Sequence, residues 1–392
     1  MRSMLIGLSS LAAALAVASP ANAQQTVKIG LILPYSGQFA DTATQMDNAI
    51  KLYLKQKGDT VAGRKLEFVR KDSGGIAPDV AKRLAQELIV RDNVDLLAGF
   101  ILTPNALAVG DVSAEAKKFM VVMNAATAII TTKSPYMVRT SLTLPQTSET
   151  FGTWAYKSGI RKVYTMVSDF GPGHDSEQGF QRAFKEAGGD IVGQVRMPVA
   201  NPDFSAFVQR AKDVNPEAIF VFIPGGTQPA ALGKAFHERG IDPRKIKILG
   251  SGEVTGEQAL KGMGDAGLGI LSAWHYDYNF DSPLNKAFVK AYNDDYKRNP
   301  DLFSIGGYDG MHLIFEVLKK TGGKTDTESL IAAAKGLKWE SPRGPMWIDP
   351  ETRDVVQTIY IRRVEKVGNE LVNVVFDKVE NVKDPVKARM MK

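Results

Sequence analysis

Apolar and polar positions along the chain follow two alternating periods. Residues 26–33 (TVKIGLIL) form a β-branched, apolar run, which predicts a parallel strand buried on both faces. The run stops at Pro34-Tyr35-Ser36-Gly37, a cluster of turn formers. Over 43–57 the apolar residues Ala49, Leu52 and Leu54 mark one face of a helix. Strand-like alternation over 65–71 precedes a helix opened by Pro78-Asp79 and running to about Arg91. A short strand over 95–98 ends in Gly99, a helix is predicted over 103–116, and another strand over 119–123. Strands and helices joined by short links build a doubly wound parallel sheet.

The same ladder then restarts. Strands are predicted over 162–168, 191–198, 218–223 and 246–249, with helices over 175–187, 204–213 and 227–239 between them. Beyond Gly269 the alternation loosens. A strand-like run over 270–278 is followed by helices over 283–298, 307–320 and 328–336. Two strands over 344–364 flank Asp349-Pro350-Glu351-Thr352, and hairpin-like strands close the chain. An extra helical section followed by strands implies that the chain crosses between two lobes more than once. At 392 residues there is enough chain for two cores.

The first two dozen residues stand apart from this ladder. Arg2 gives a positive start, residues 5–17 an apolar stretch, and Ala21-Asn22-Ala23 a small-residue cleavage site. The apolar stretch falls short of the roughly 20 residues a spanning helix needs. Export with cleavage after Ala23 is the expectation, which places the mature protein in the periplasm. With no cysteine in the chain, lipid attachment through a thiol, disulfides and thiolate metal sites are all excluded. The formal charge is +6, and loss of Arg2 with the leader would leave +5. Basic residues are scattered rather than gathered in a stripe, so no nucleic-acid partner is expected.

Catalytic and metal patterns are missing. His174, His237, His275 and His312 lie at no metal-binding spacing, and no HExxH is formed. Gly173-His174-Asp175-Ser176 and Gly250-Ser251-Gly252-Glu253 do not match a nucleophile elbow. Gly171-Pro172-Gly173 lacks the third glycine of a dinucleotide fingerprint. Neither enzyme activity, nor a cofactor, nor a metal is expected.

What remains is a set of strand-end loops rich in small and hydroxyl residues. In open α/β sheets ligands bind beyond the carboxyl ends of strands, against helix N-termini. The loop Gly99-Phe100-Ile101-Leu102-Thr103-Pro104 feeds a helix, with Thr103 expected as N-cap and Pro104 at the first helical position. Asn124-Ala125-Ala126-Thr127 follows the next strand. Each loop has two readings, an ordinary helix cap or half of a carboxylate cradle.

These residues carry a resemblance. VKIGLILPYSGQFA, LLAGFILTPNALAV, FMVVMNAAT and YMVRTS are similar to segments of the periplasmic branched-chain amino-acid-binding proteins of ABC importers. VSDFGPGHDSEQGFQRAFKEAGGDIVG, FSAFVQRAKDVNPEAIFVFIPGG and GGYDGMHLIFEVLKK continue it in the same order. The resemblance implies a type I periplasmic binding protein with two doubly wound lobes and a three-segment hinge. Lobe 1 would comprise 24–143 and 276–337, and lobe 2 would comprise 144–275 and 338–392. By that pattern Thr103 and Thr127 bind a ligand carboxylate and the Ala125-Ala126 backbone supplies a carbonyl. Phe170 falls where the family usually carries a tyrosine, and Thr227 where another aromatic is common.

Two departures affect the ligand. The family's amino-acid binders hold the ammonium with a glutamate that here, as Glu253, stands one place late. Thr42 and Thr227 replace bulky aromatics and leave a larger pocket. The carboxylate half of recognition is kept and the ammonium half weakened, which favours an aromatic carboxylate. Phe100, Trp274, Tyr276 and Tyr278 carry rings able to stack on it. Alternatives are a branched-chain or aromatic amino acid, a sensing module for a receptor, and a hydrolase or lyase on the same fold. The expected partner is a membrane permease, and a monomer suits the role.

Overall fold

The structure, a computed structural model, describes residues 26–243 and 245–391. The expected leader over 1–23 lies outside the described residues.

The first lobe begins with β1 (Thr26–Leu33), α1 (Ala40–Lys57), β2 (Thr60–Val61), β3 (Arg64–Asp72) and α2 (Pro78–Val90). It continues through β4 (Leu96–Gly99), α3 (Thr103–Glu115), β5 (Met120–Val122) and β6 (Met137–Arg139). The strands form one sheet in the order β2-β3-β1-β4-β5-β6, parallel except for the short β2. Both faces of β1 are covered, which is why it reads as an unbroken apolar run. Leu31 and Leu33 belong to a core that includes Ile50 and Tyr53 of α1, while Ile32 packs with Leu84 and Leu88 of α2. Each such side chain contributes roughly 1.5–3 kcal/mol on burial.

The second lobe opens with α4 (Leu144–Lys157), then β7 (Lys162–Ser168), α5 (Gly171–Glu186), β8 (Asp190–Met197) and α6 (Phe204–Asp213). β9 (Ala218–Phe222), α7 (Gln228–Glu238), β10 (Lys247–Ser251), α8 (Glu257–Met263) and β11 (Leu271–Trp274) follow. The chain then supplies α9 (Pro283–Tyr296), α10 (Leu302–Lys320) and α11 (Thr327–Ala334). Of these, α10 lies along α1 and contacts β4 and β5. The end of the chain is β12 (Lys338–Ser341), β13 (Gly344–Ile348), β14 (Val355–Val367), β15 (Glu370–Val382) and α12 (Pro385–Met390).

The second sheet runs β12-β13-β14-β11-β10-β9-β7-β8, with β15 paired to β14. Its β7 to β11 portion is parallel, but β11 pairs antiparallel with β14. The sheet is therefore mixed, not wholly parallel as the ladder predicts. The C-terminal strands return from the other lobe and can only add at its free edge. Phe180 of α5 stacks on Phe220 of β9 at 4.1 Å between ring centroids, fixing the helix to the sheet.

Three stretches connect the sheet systems, between β6 and α4, β11 and α9, and α11 and β12. Three buried arginines brace this region. Arg139 pairs with Asp354 at 2.8 Å and donates to the carbonyls of Ala125 and Thr127. Arg343 pairs with Asp309 at 2.8 Å and donates to the carbonyls of Ser141 and Thr140. Arg362 meets Asp277 at 3.3 Å and donates to the Tyr276 carbonyl. Such pairs gain little net stability, but removing one partner strands the other charge without water.

Candidate solute-binding cleft

The carboxyl ends of the strands of both sheets face a narrow, partly enclosed cleft. The turn after β4 sets one wall. Gly99 has φ +106°, and a Cβ there would sit 2.7 Å from the Ile32 carbonyl oxygen. Phe100 follows at φ +64°, a left-handed conformation that costs a non-glycine residue roughly 1–2 kcal/mol. This reversal sends the Phe100 ring into the core beneath the sheet and brings Ile101, Leu102 and Thr103 to the cavity.

The N-cap of α3 is Leu102, not Thr103 as expected, and no side chain caps that end. Thr103 is therefore the first helical residue. Its hydroxyl is free to accept a hydrogen bond from Thr127 Oγ1 at 3.0 Å. The two hydroxyls join the loops after β4 and β5. Asn124 strengthens the junction by donating Nδ2 to the Ile101 carbonyl at 3.0 Å and also lines the cavity.

From the second lobe, α5 points its N-terminus at the same place. Its N-cap, Phe170, provides no side-chain cap. A Cβ on Gly171 would lie 3.6 Å from Thr127 Oγ1 and 3.8 Å from Thr103 Cγ2. Two hydroxyls and two uncapped helix N-termini thus converge, a combination suited to an anion. Among the described residues, no lysine or arginine lines the cavity.

Four phenylalanines, Phe39, Phe170, Phe222 and Phe303, make the apolar walls, with Leu144, Pro172 and Pro224. Phe170 and Phe222 lie 6.2 Å apart between centroids. At the remaining side stand Gly225 and Glu253. Glu253, Gly225 and Phe303 also border a second cavity, of about 230 Å³, which Thr103, Asn124 and Ala126 do not reach. Part of the Glu253 surface is open to the cleft, but its Oε2 is shut off from solvent and has no hydrogen-bond partner. Loss of water pushes its carboxyl up to about 8.

The cleft thus gathers Thr103, Asn124, Ala126, Phe170 and Glu253, with Thr127 bonded to Thr103 behind the surface. Ala125 is in the adjacent core, and its carbonyl accepts from Arg139, while that of Ala126 accepts from the Leu144 N–H. Thr227 and Thr42 line the second cavity instead. Tyr276 is buried against Phe288 and donates to Asn285 Oδ1 at 3.1 Å, away from this cleft. Trp274 packs over Gly252, where a Cβ would come within 2.1 Å of the indole. The sequence reading missed Phe39, Phe222 and Phe303. The first follows the Pro34–Gly37 turn, a usable signal, but Phe303 sits in a helical turn masked by the glycines after it.

The periplasmic binding protein model matches residues 26–369. The chain belongs to the periplasmic binding protein family. Among proteins similar to this periplasmic binding protein is the Leu/Ile/Val-binding protein homolog 6 of Brucella melitensis, 42% identical over 366 residues, spanning 93% of this chain and 94% of the relative. A solute-binding protein of an ABC transporter from Rhodopseudomonas palustris BisB5, in complex with 3,4-dihydroxybenzoic acid, is 54% identical. It superimposes with a TM-score of 0.89 over 92% of this chain and 99% of its own. A second, from Rhodopseudomonas palustris HaA2 in complex with p-hydroxybenzoic acid, is 41% identical with a TM-score of 0.90, covering 93% and 100%. The two-lobed fold of this periplasmic binding protein is that of its solved relatives.

Proposed function

We propose that this protein is the exported, monomeric solute-binding component of an ABC importer and closes its lobes on an aromatic carboxylate. The cavity carries the reading: phenylalanine walls flank a slot with a polar corner formed by Thr103, which Thr127 backs, and the starts of α3 and α5. Rings prefer such walls in offset or edge-on contact. A carboxylate fits hydroxyl and N–H donors that need no counter-cation. Solved relatives at 54% and 41% identity hold benzoic acids bearing hydroxyl groups, which supports the same ligand class here. Delivery would be to a membrane permease after release of a leader at Ala23. No catalytic role is proposed.

Thermal-shift titration of the mature protein with benzoic acids and with branched-chain amino acids tests this reading. A ligand at about 100 times its dissociation constant adds roughly 2.7 kcal/mol of stability. Stabilisation by leucine and by no aromatic acid would refute it. The second reading, an amino-acid binder, is favoured by one observation, the presence of a carboxylate, Glu253, in the cavity wall.

A further inference from the structure

Among the described residues, Glu253 is the one ionisable side chain in the wall of the phenylalanine slot. Its Oε2 is sealed and unpartnered, whereas buried polar atoms in folded proteins are almost always hydrogen-bonded. No protein group supplies the missing donor. The neighbouring cavity adds Asp41, Glu257 and Asp301, all acidic, and no lysine, arginine or histidine. The residue stands on the wall shared with that second cavity, whereas Thr103, Asn124 and Ala126 do not border it. The slot is therefore polar at the Thr103–Asn124 corner and again at Glu253, where it adjoins the second cavity.

Resting on the aromatic-carboxylate reading, we propose that Glu253 accepts the hydrogen of a ring hydroxyl on the far side of the ligand from its carboxylate. The site then selects hydroxylated aromatic acids over unsubstituted ones. The chemistry explains why a carboxyl group is tolerated in an apolar wall that already receives an anion. A neutral carboxyl still offers an acceptor oxygen, so a phenol can be read without placing two negative charges in one dry slot. Burial favours that neutral form, since the Glu253 carboxyl lies up to about 8. An α-amino acid makes the opposite demand. Its ammonium adjoins its carboxylate and needs the charge of an ionised glutamate close to the threonines.

Calorimetry of the full mature protein with benzoate, 4-hydroxybenzoate, 4-methoxybenzoate and leucine tests the proposal, using wild type, Glu253→Gln and Glu253→Leu. Wild type should bind 4-hydroxybenzoate about ten- to a hundredfold more tightly than benzoate, because benzoate leaves the acceptor unpaired. The methoxy compound, which has no donor, should bind no better than benzoate. Glu253→Gln keeps an acceptor oxygen and should hold 4-hydroxybenzoate within about tenfold of wild type. Glu253→Leu should erase the preference. Thermal melts of both variants establish that they are folded. Equal affinity for all three benzoates, or a preference unchanged in Glu253→Leu, overturns the hydroxyl assignment and leaves aromatic-acid binding standing. Binding of leucine with no binding of any benzoate overturns the underlying reading instead.

Discussion

The Ala128 N–H donates to Asp175 Oδ2 at 2.7 Å, joining the loop beyond β5 to the N-terminal part of α5. The bond lies one residue from Thr127, beside the corner where the two threonine loops meet the start of α5. Burial raises the Asp175 carboxyl, partly opposed by this same N–H.

Asp175→Ala should loosen the closed form and weaken ligand binding by about ten- to a hundredfold, the worth of one hydrogen bond to a charged group. Asp175→Asn retains an oxygen and should lose less. Calorimetry gives the affinities, and small-angle scattering with and without ligand gives the closure. Wild-type affinity in Asp175→Ala would show that the bond does not act as a latch.

Replacing Thr103 or Thr127 with valine preserves shape and removes a hydroxyl. Each variant should lose about 1.5–3 kcal/mol of binding to an anionic ligand, roughly ten- to a hundredfold in dissociation constant. Melting temperature should hardly move for Thr103→Val. Unchanged affinity in both variants would remove this corner as the carboxylate site.

Glu253 makes stability depend on pH in a predictable direction. Its carboxyl ordinarily titrates at 4.5 and is held near 8 in the fold. Between these values the native state keeps a proton that the unfolded chain has lost. Its contribution to stability therefore falls as pH rises through this window, and the loss is complete above about 8. Because part of the residue meets solvent, we expect about 2 kcal/mol rather than the full cost of the shift. Denaturant melts of unliganded protein at pH 5 and pH 8 should show it, and Glu253→Gln should flatten the difference.

The hinge offers a contrast. Arg139 and Asp354 are fully buried, and Lys387 of α12 also pairs with Asp354. Arg139→Ala should destabilise the protein by about 3–5 kcal/mol, read by urea denaturation, because Asp354 loses one of its two cations and the carbonyls of Ala125 and Thr127 lose their donor in a dry site. Arg139→Met, which fills the volume, should cost as much if the lost charge and donors dominate, and much less if packing does.

Much of this was legible in the residues. Strands over 26–33 and 162–168 and the helix over 204–213 coincide with the structure, because burial on two faces or one enforces a clear period. Helix starts were harder. α5 begins at Gly171 rather than 175, and α10 at Leu302 rather than 307, since glycines hide the first turns. Those glycines answer to packing: a Cβ on Gly173 would lie 1.9 Å from the Ser168 carbonyl oxygen, and one on Gly306 2.3 Å from that of Met123. Helix α4 was missed, its apolar face being diluted by Thr, Ser and Gln that serve the capping box and the hinge. Thr103, Thr127, Phe170 and Glu253 were singled out from loop position and resemblance. The aromatic walls Phe222 and Phe303 were not, because their contact depends on how two lobes meet, and no local pattern encodes that.

Among the described residues no lysine or arginine reaches the slot, and this bears on unloading. A ligand gripped by an ion pair must carry away, or leave behind, a strong point attraction. Here the grip consists of dipoles, hydroxyls and exclusion of solvent, all of which vanish together once the jaws part. Separating Ala128 from Asp175 would admit water to the corner and to the phenylalanine walls at once. Residence time is then governed by the rate of opening, so a membrane partner that pries the lobes apart needs no competing charge to empty the site.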